Sequence, residues 1–122
     1  MLYDPQAKLF RMWYLAGARL PFQEPIRLDG QLRIPNLQLV GYAESDDGFA
    51  WNLPNLGLVS YNGSRANNIC RIARTNAEGI AVIHDLLDPD PSRRFKALYW
   101  EHSSSNKDIP DVSVNGMSVS FS

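Results

Sequence analysis

Short apolar runs alternate along this chain with polar, turn-rich segments, and this pattern predicts strands. In residues 9–15 both alternating sets of side chains are largely apolar, which is typical of a strand buried on both faces. A helix is the competing interpretation of this run, which is short, aromatic-rich and bounded by turn residues. Further strands are predicted over residues 37–45, 57–61, 68–74, 80–83, 95–100 and 116–121, with an edge strand at 26–28 and a turn at 29–30. The pattern therefore predicts an all-β fold.

A turn motif follows the strand predicted over residues 37–45. Asp47-Gly48 is a strong turn dipeptide, because glycine adopts positive φ without steric cost and aspartate can bond its own backbone. The Ser45 hydroxyl can tie the loop to the strand, and Trp51 is large enough to fold over the turn. The motif predicts a self-locking corner between two strands. An ordinary hairpin with a chance tryptophan is the alternative.

Two segments of the chain resemble each other. Residues 4–14 and 88–99 both read Asp-Pro, a polar loop, an aromatic residue, a basic residue, two apolar residues and tyrosine. Each segment is followed by a further predicted strand, over 37–45 and 116–121. Such repetition is typical of a radial all-β architecture, although two copies can also arise by coincidence.

Composition and charge restrict the classes of molecule that this chain is expected to bind. Of the 122 residues, 44% are hydrophobic and 20% charged, which is typical of a globular domain. The net charge of −1 carries no basic run, so we expect neither nucleic acid nor a membrane as partner. The single cysteine, Cys70, excludes an internal disulfide and is expected to be a buried apolar residue. We expect no signal peptide at Met1, and the sequence predicts no compartment.

Residues 43–69 carry a resemblance to a known family. They read Ala-Glu-Ser-Asp-Asp-Gly-Phe-Ala-Trp, followed by Asn-Leu-Pro-Asn-Leu-Gly-Leu-Val-Ser-Tyr-Asn-Gly-Ser-Arg-Ala-Asn-Asn-Ile. This string resembles a signature of bacterial proteins related to glycoside hydrolase families 32 and 43, the invertase, levansucrase and arabinanase-like five-bladed β-propellers. The resemblance implies a partial propeller domain over residues 1–122, with most of one blade in 1–70 and the start of the next in 71–122.

The resemblance also implies an order of strands. Residues 9–15, 37–45 and 57–61 correspond to the second to fourth strands of one blade, and its innermost strand is expected before Met1. The first three strands of the next blade correspond to residues 80–83, 95–100 and 116–121. The chain is therefore expected to be a segment of a larger propeller.

Glycosidase chemistry needs two carboxylates across the scissile bond. The resembling enzymes use a third aspartate to bind the sugar and stabilise the transition state, and Asp85 occupies the corresponding place here. His84 and Leu86 depart from the basic residue and the proline of that motif, and a turn-capping role is the alternative for Asp85. The nucleophile and the general acid are expected outside the chain. His84 and Trp100 are candidate substrate-binding residues, since an aromatic face can stack on a sugar.

No cofactor or metal is expected. His84 and His102 lack metal-ligand spacing, and the sequence contains no phosphate-binding glycine loop, nucleotide fingerprint or catalytic Ser-His-Asp set. The expected function is that of a segment of a glycoside hydrolase-like, carbohydrate-active β-propeller protein that is inactive as an isolated chain, with carbohydrate as its expected partner. The alternative is a non-catalytic glycan-binding or protein-interaction β module. Open blade faces are expected to allow self-association.

Overall fold

The structure is a computed structural model that describes residues 1–17, 26–33, 38–72, 76–102 and 116–121. Antiparallel strands dominate the described part, whose only helix is a 3-10 turn at Pro91–Arg93. The strands are β1 (Leu2–Asp4), β2 (Leu9–Gly17), β3 (Ile26–Leu28), β4 (Gln31–Arg33), β5 (Gln38–Ser45), β6 (Asn76–His84), β7 (Phe95–His102) and β8 (Gly116–Phe121). The all-β prediction is confirmed, and β2 excludes a helix over residues 9–15.

The strands form two three-stranded sheets and a small hairpin. The first sheet has the order β1-β2-β5, the second has the order β6-β7-β8, and β3 pairs with β4. The predicted turn at 29–30 is confirmed, since Asp29 and Gly30 both have positive φ, 49° and 78°. A two-residue turn of this kind matches the right-handed twist of the strands that it joins. All the described sheets are open.

The strand predicted over residues 57–61 does not form. Only Tyr61 makes bridges there, with Leu28 and Ser64. Gly57 has a φ of 66°, and its carbonyl accepts a hydrogen bond from the Arg65 side chain at 3.2 Å. A left-handed residue breaks the extended backbone that a strand requires, and the side chain replaces a ladder partner.

The strand predicted over residues 68–74 is reduced to a short pairing segment. Ile69 bridges Gly41, and the Cys70 N–H donates to the Val40 carbonyl at 2.8 Å. This segment therefore covers part of the outer edge of β5, on the side away from β2. Residues 73–75 lie outside the described part.

The hydrogen bonds predicted for the corner after β5 are confirmed. Ser45 Oγ accepts a hydrogen bond from the Gly48 N–H at 2.8 Å, and Asp47 Oδ1 accepts from the Ala50 N–H at 2.9 Å. Gly48 has a φ of 80°, which is the conformation that its lack of a Cβ permits. The side chains thus satisfy backbone donors that have no strand partner.

The internal repeat extends to the register of the sheets. Tyr14 pairs with Gly41 in the first sheet, and Tyr99 pairs with Ser118 in the second. Asp4 ends β1 opposite Leu9, and Asp85 follows β6 with its N–H bonded to the Arg94 carbonyl at 2.7 Å. The equivalent of Asp4 is therefore Asp85, and the sequence alignment of Asp4 with Asp88 was wrong. The loop in the second copy is longer, which placed the second Asp-Pro three residues too late.

The first sheet contains a short strand at its edge, beside β2. The neighbour of β2 in the sheet is β1, Leu2–Asp4, which pairs at Leu2–Arg11, Tyr3–Phe10 and Asp4–Leu9. The sequence pattern did not predict β1. Its three residues are too few to show an alternating pattern in the sequence.

The two sheets pack face to face. We call the side of the first sheet that carries Arg11, Trp13, Val40 and Tyr42 its front face. Val40, 1% exposed, packs with Ala97 and Tyr99 of the second sheet into one cluster. Trp13, Cys70, Ile72, Ile80 and Val82 surround this cluster. Burial of these apolar side chains between the sheets supplies the main driving force for their association.

Candidate functional site

An open cleft of about 510 Å³ lies between the two sheets. Strands β2 and β5 supply three of its polar residues, Arg11, Tyr42 and Glu44, and a fourth, Arg71, follows the segment that pairs with β5. The remaining lining residues are mostly apolar: Trp13, Leu56, Leu58, Cys70, Ile72, Val82, Phe95 and Ala97. A concave, largely apolar surface with a few convergent polar groups is typical of a small-molecule site.

Arg11 is the centre of the polar network. Its Nε donates to Asp4 Oδ2 at 2.9 Å, and its Nη1 donates to the Tyr42 hydroxyl and to Glu44 Oε1, the latter at 3.3 Å. The Tyr42 hydroxyl in turn donates to Glu44 Oε1 at 2.7 Å. Tyr42 and Glu44 are two positions apart in β5, so their side chains share the front face. The guanidinium thus bridges carboxylates from two strands that flank β2.

Asp4 anchors this network from beneath. The residue is 4% exposed, and Asp4 Oδ1 also accepts the N–H groups of Gln6 at 3.0 Å and Ala7 at 3.2 Å. Burial acts to raise the pKa of Asp4. The bonds from the Ala7 N–H, from Arg11 and from the Gln6 N–H outweigh burial and lower the pKa. Asp4 is therefore an ionised partner that holds Arg11 in place.

Tyr42 stays protonated over the ordinary pH range. Burial, and then the hydrogen bond to Glu44, raise the pKa of Tyr42 to about 12, against an opposing effect of Arg11. The Arg11 pKa is also raised, because hydrogen bonds to Tyr42 and Asp4 outweigh the effect of burial. The network thus presents a neutral phenol between a fixed cation and a carboxylate.

Aromatic rings form the wall of the cleft beside this network. The Trp13 ring lies 5.2 Å from that of Tyr42 and 5.7 Å from that of Phe95. The Arg11 guanidinium lies 5.4 Å from the Phe95 ring centroid, within the range of a cation–π contact. These contacts hold the rings and the cation at fixed relative positions.

Asp85, the predicted catalytic residue, lies in the turn after β6 and is not among the residues that line the cleft. Its Oδ2 accepts from Lys96 Nζ at 2.5 Å, and its Oδ1 accepts from the Leu87 N–H at 3.1 Å. The Lys96 bond is the largest cause of a lowered Asp85 pKa. Lys96 also pairs with Asp88 at 2.9 Å. Asp85 is therefore an ionised carboxylate, which can stabilise a positive charge or accept hydrogen bonds from hydroxyl groups.

The other two predicted site residues lie apart. The His84 side chain is 8% exposed and stacks on Phe95, with ring centroids 4.2 Å apart, and its Nδ1 lies 3.9 Å from Asp4 Oδ1. Trp100 is 42% exposed and pairs with Glu78, toward the other end of β7. Trp100 and Phe95 are five positions apart in this strand, so they lie on opposite faces. The structure thus brings His84, but not Trp100, close to the polar network.

Sequence reasoning missed Arg11, Tyr42 and Glu44. One signal was present, because Arg11 is a charged residue inside a strand whose other positions are apolar. Buried charges are rarely found without partners, so Arg11 implied a nearby carboxylate. Tyr42 and Glu44 were visible only as one face of β5, and the sequence does not reveal which strand lies beside that face.

The described part of the chain contains no group of three or more His, Cys, Asp or Glu residues placed to hold a metal ion. Within the same residues, no helix has the length and hydropathy needed to cross a membrane. Comparison with protein families, with curated proteins and with solved structures gives no match to this chain.

Proposed function

We propose that this chain is a segment of a carbohydrate-active β-propeller protein resembling glycoside hydrolase families 32 and 43, and that it binds a sugar in the cleft without hydrolysing it. The observation that carries the proposal is the side-by-side arrangement in the cleft of a hydrogen-bonded Arg11–Tyr42–Glu44 network and the rings of Trp13 and Phe95.

A sugar ring suits such a surface for two reasons. Its hydroxyls both donate and accept hydrogen bonds, and Glu44, with a side chain 32% exposed, offers an accessible acceptor beside the Arg11 donors. Its C–H faces are apolar and match aromatic and aliphatic walls, which Trp13, Phe95 and Leu58 supply here. The Asp4 contact holds Arg11 in position, so little side-chain entropy is lost on binding.

Hydrolysis by the chain alone is not part of the proposal. Retaining and inverting glycosidases place two carboxyl groups on either side of the scissile bond. Among the described residues that line the cleft, Glu44 is the only carboxylate. In a complete propeller we assign to Asp85 the role of an ionised sugar-binding carboxylate that stabilises the transition state, with the nucleophile and general acid supplied by other segments.

The binding proposal is tested by titrating the isotope-labelled chain with fructan, arabinan and β-mannan oligosaccharides and following amide shifts in NMR spectra. Glu44→Gln removes a charged acceptor and keeps the shape, so we expect at least a tenfold weaker affinity, about 1.4 kcal/mol. Asp46→Asn is the matched control, because Asp46 is an exposed acid in the corner after β5. No binding of any of the three glycans, or equal effects of the two variants, would contradict the proposal.

Catalysis is separated from binding by a reducing-sugar assay on the same glycans. We expect no turnover by the chain, and we expect binding to survive Asp85→Asn. That result favours the non-catalytic module over a hydrolase. Turnover that disappears in Asp85→Asn would show that the chain carries a complete active site and would overturn the proposal.

A further inference from the structure

The contact between the two sheets joins unlike faces. The front face of the first sheet, with Trp13 and Val40, packs on the face of the second sheet that carries Phe95, Ala97 and Tyr99. By the register of the repeat, those three residues are equivalent to Phe10, Met12 and Tyr14, which lie on the opposite side of the first sheet. We call that side, in either sheet, the back face. The chain therefore contains one front-to-back contact.

The repeat leaves one front face and one back face unmatched. The front face of the second sheet carries Leu98, the equivalent of Trp13, and it lies on the outside of the molecule. Leu98 is 41% exposed, and Ile83 beside it is 60% exposed. In the backbone register, Leu98 pairs with Val119 and Ile83 pairs with Lys96. Ile83 therefore occupies the position in the second sheet that Leu2, the partner of Arg11, occupies in the first.

The back face of the first sheet is the complementary surface. Phe10, Met12 and Tyr14 are half-buried, and Tyr3, whose ring lies 5.0 Å from that of Phe10, is 50% exposed. Phe10 and Tyr14 match their equivalents in the second sheet, Phe95 and Tyr99. Met12 is larger than its equivalent, Ala97. Phe10 and Tyr14 thus repeat the two aromatic residues of the back face that contacts a front face inside the chain.

We propose that the front face of the second sheet binds the back face of the first sheet of a second copy of this chain. The occupant follows from the contact already formed within the chain, because the proposed interface repeats it with equivalent residues. The interface is heterologous, since each copy uses a different surface. Successive copies close into a ring where the rotation allows and otherwise extend into a filament. Burial of Ile83 and Leu98 provides apolar area at the interface.

The test uses sedimentation velocity and light scattering on the full chain and on three variants. Ile83→Lys/Leu98→Lys blocks the front face, and Tyr3→Lys blocks the back face. Leu87→Lys is the control, because Leu87 is 93% exposed in the turn after β6 and lies on neither face. We expect the parent and the control to have masses that are multiples of 13.8 kDa, and each blocked variant to have a mass of 13.8 kDa.

Mixing the two blocked variants gives the decisive result. Each retains one intact face, so an equimolar mixture should form a dimer that cannot grow, and neither variant should dimerise alone. Formation of that dimer also shows that both variants are folded. A monomeric parent chain, equal disruption by Leu87→Lys, or a mixture that stays monomeric would overturn the proposal. So would a blocked back face without effect, since that result indicates a front-to-front contact.

Discussion

Asp4 and Asp85 occupy equivalent positions in the two sheets, and each accepts a hydrogen bond from a basic residue on the adjacent strand. Arg11 Nε lies 2.9 Å from Asp4 Oδ2, and Lys96 Nζ lies 2.5 Å from Asp85 Oδ2. The first pair lies under the cleft network, whereas the second is half-buried and joins the turn after β6 to β7. The same pairing of an aspartate with a basic residue thus recurs in both sheets, and only the Asp4–Arg11 pair is joined to the polar groups of the cleft.

The Asp4–Arg11 pair makes the stability of the fold depend on pH. The pKa of Asp4 is lower in the folded chain than the ordinary aspartate value of 3.8, so the unfolded chain takes up the proton first on acidification. The stabilisation is therefore fully present above pH 3.8 and is lost as the pH falls through the folded pKa. Asp4→Asn should unfold at lower urea concentration than the parent at neutral pH.

Urea unfolding at neutral pH and at two values below 3.8 checks this prediction. The gap between the parent and Asp4→Asn should narrow as the pH falls, because the parent loses a contribution that the variant never had. A gap that stays constant over this range would show that the carboxylate charge contributes nothing to the difference.

The ring of Tyr14 leaves no space for a side chain at position 41. A Cβ at Gly41 would lie 2.5 Å from Tyr14 Cζ, and the Tyr14 hydroxyl is fixed by a 2.7 Å hydrogen bond from Asn68 Nδ2. We expect Gly41→Ala to destabilise the chain by about 1–3 kcal/mol, because the ring cannot move without breaking this bond. Chemical denaturation measures the loss.

A double-mutant cycle identifies the cause of that loss. In a Tyr14→Leu background the ring is absent, so Gly41→Ala should cost much less than it does in the parent. The same cost in both backgrounds would place the effect in the backbone of β5 and not in the contact with Tyr14.

The Ser45 hydroxyl is expected to be the main group that stabilises the corner after β5. The residue is 1% exposed, and its Oγ accepts from the Gly48 N–H at 2.8 Å and donates to Asp47 Oδ1 at 3.0 Å. Ser45→Ala removes a buried hydroxyl and leaves the half-buried Gly48 N–H without its partner, so we expect a loss of about 1–3 kcal/mol in the free energy of unfolding.

The matched control for the corner is Ser64→Ala. Ser64 Oγ also accepts a backbone N–H, that of Ala66 at 3.2 Å, but at an exposed position. Water can replace an exposed partner, so we expect a change within about 0.5 kcal/mol. Equal losses in the two variants would show that burial of Ser45 has no part in the effect.

Local signals were sufficient for the parts of the fold that depend on neighbours in sequence. The apolar alternation of residues 9–15 predicted β2, and Asp29-Gly30 and the corner at Ser45 were predicted from turn chemistry. The run 57–61 was misjudged, because its apolar composition is that of a strand. Side-chain hydrogen bonds from Arg65 and Asn67 to backbone carbonyls of this run replace strand pairing.

The cleft could not be predicted in the same way, because its polar residues are distant in sequence. Arg11 and Glu44 meet through the register of β2 with β5, in which they are direct partners. A shift of one residue would turn Glu44 to the other face and break the network. The sequence predicts that both strands exist, but the choice of partner and register depends on the packing of the whole sheet.

Cys70 provides a probe of the packing around the cleft. Its side chain lies against the cluster of Val40, Ala97 and Tyr99, and burial raises the pKa of the thiol from 9.0 to about 11. Only the thiolate attacks a disulfide reagent, and its population near pH 8 falls with this shift. The greater nucleophilicity of a high-pKa thiolate offsets part of the decrease, so we expect reaction about 10- to 100-fold slower than in the unfolded chain.

The rate of thionitrobenzoate release in buffer and in urea measures the ratio of the two reaction rates. A ratio near one would show that the sheets do not enclose Cys70 in solution.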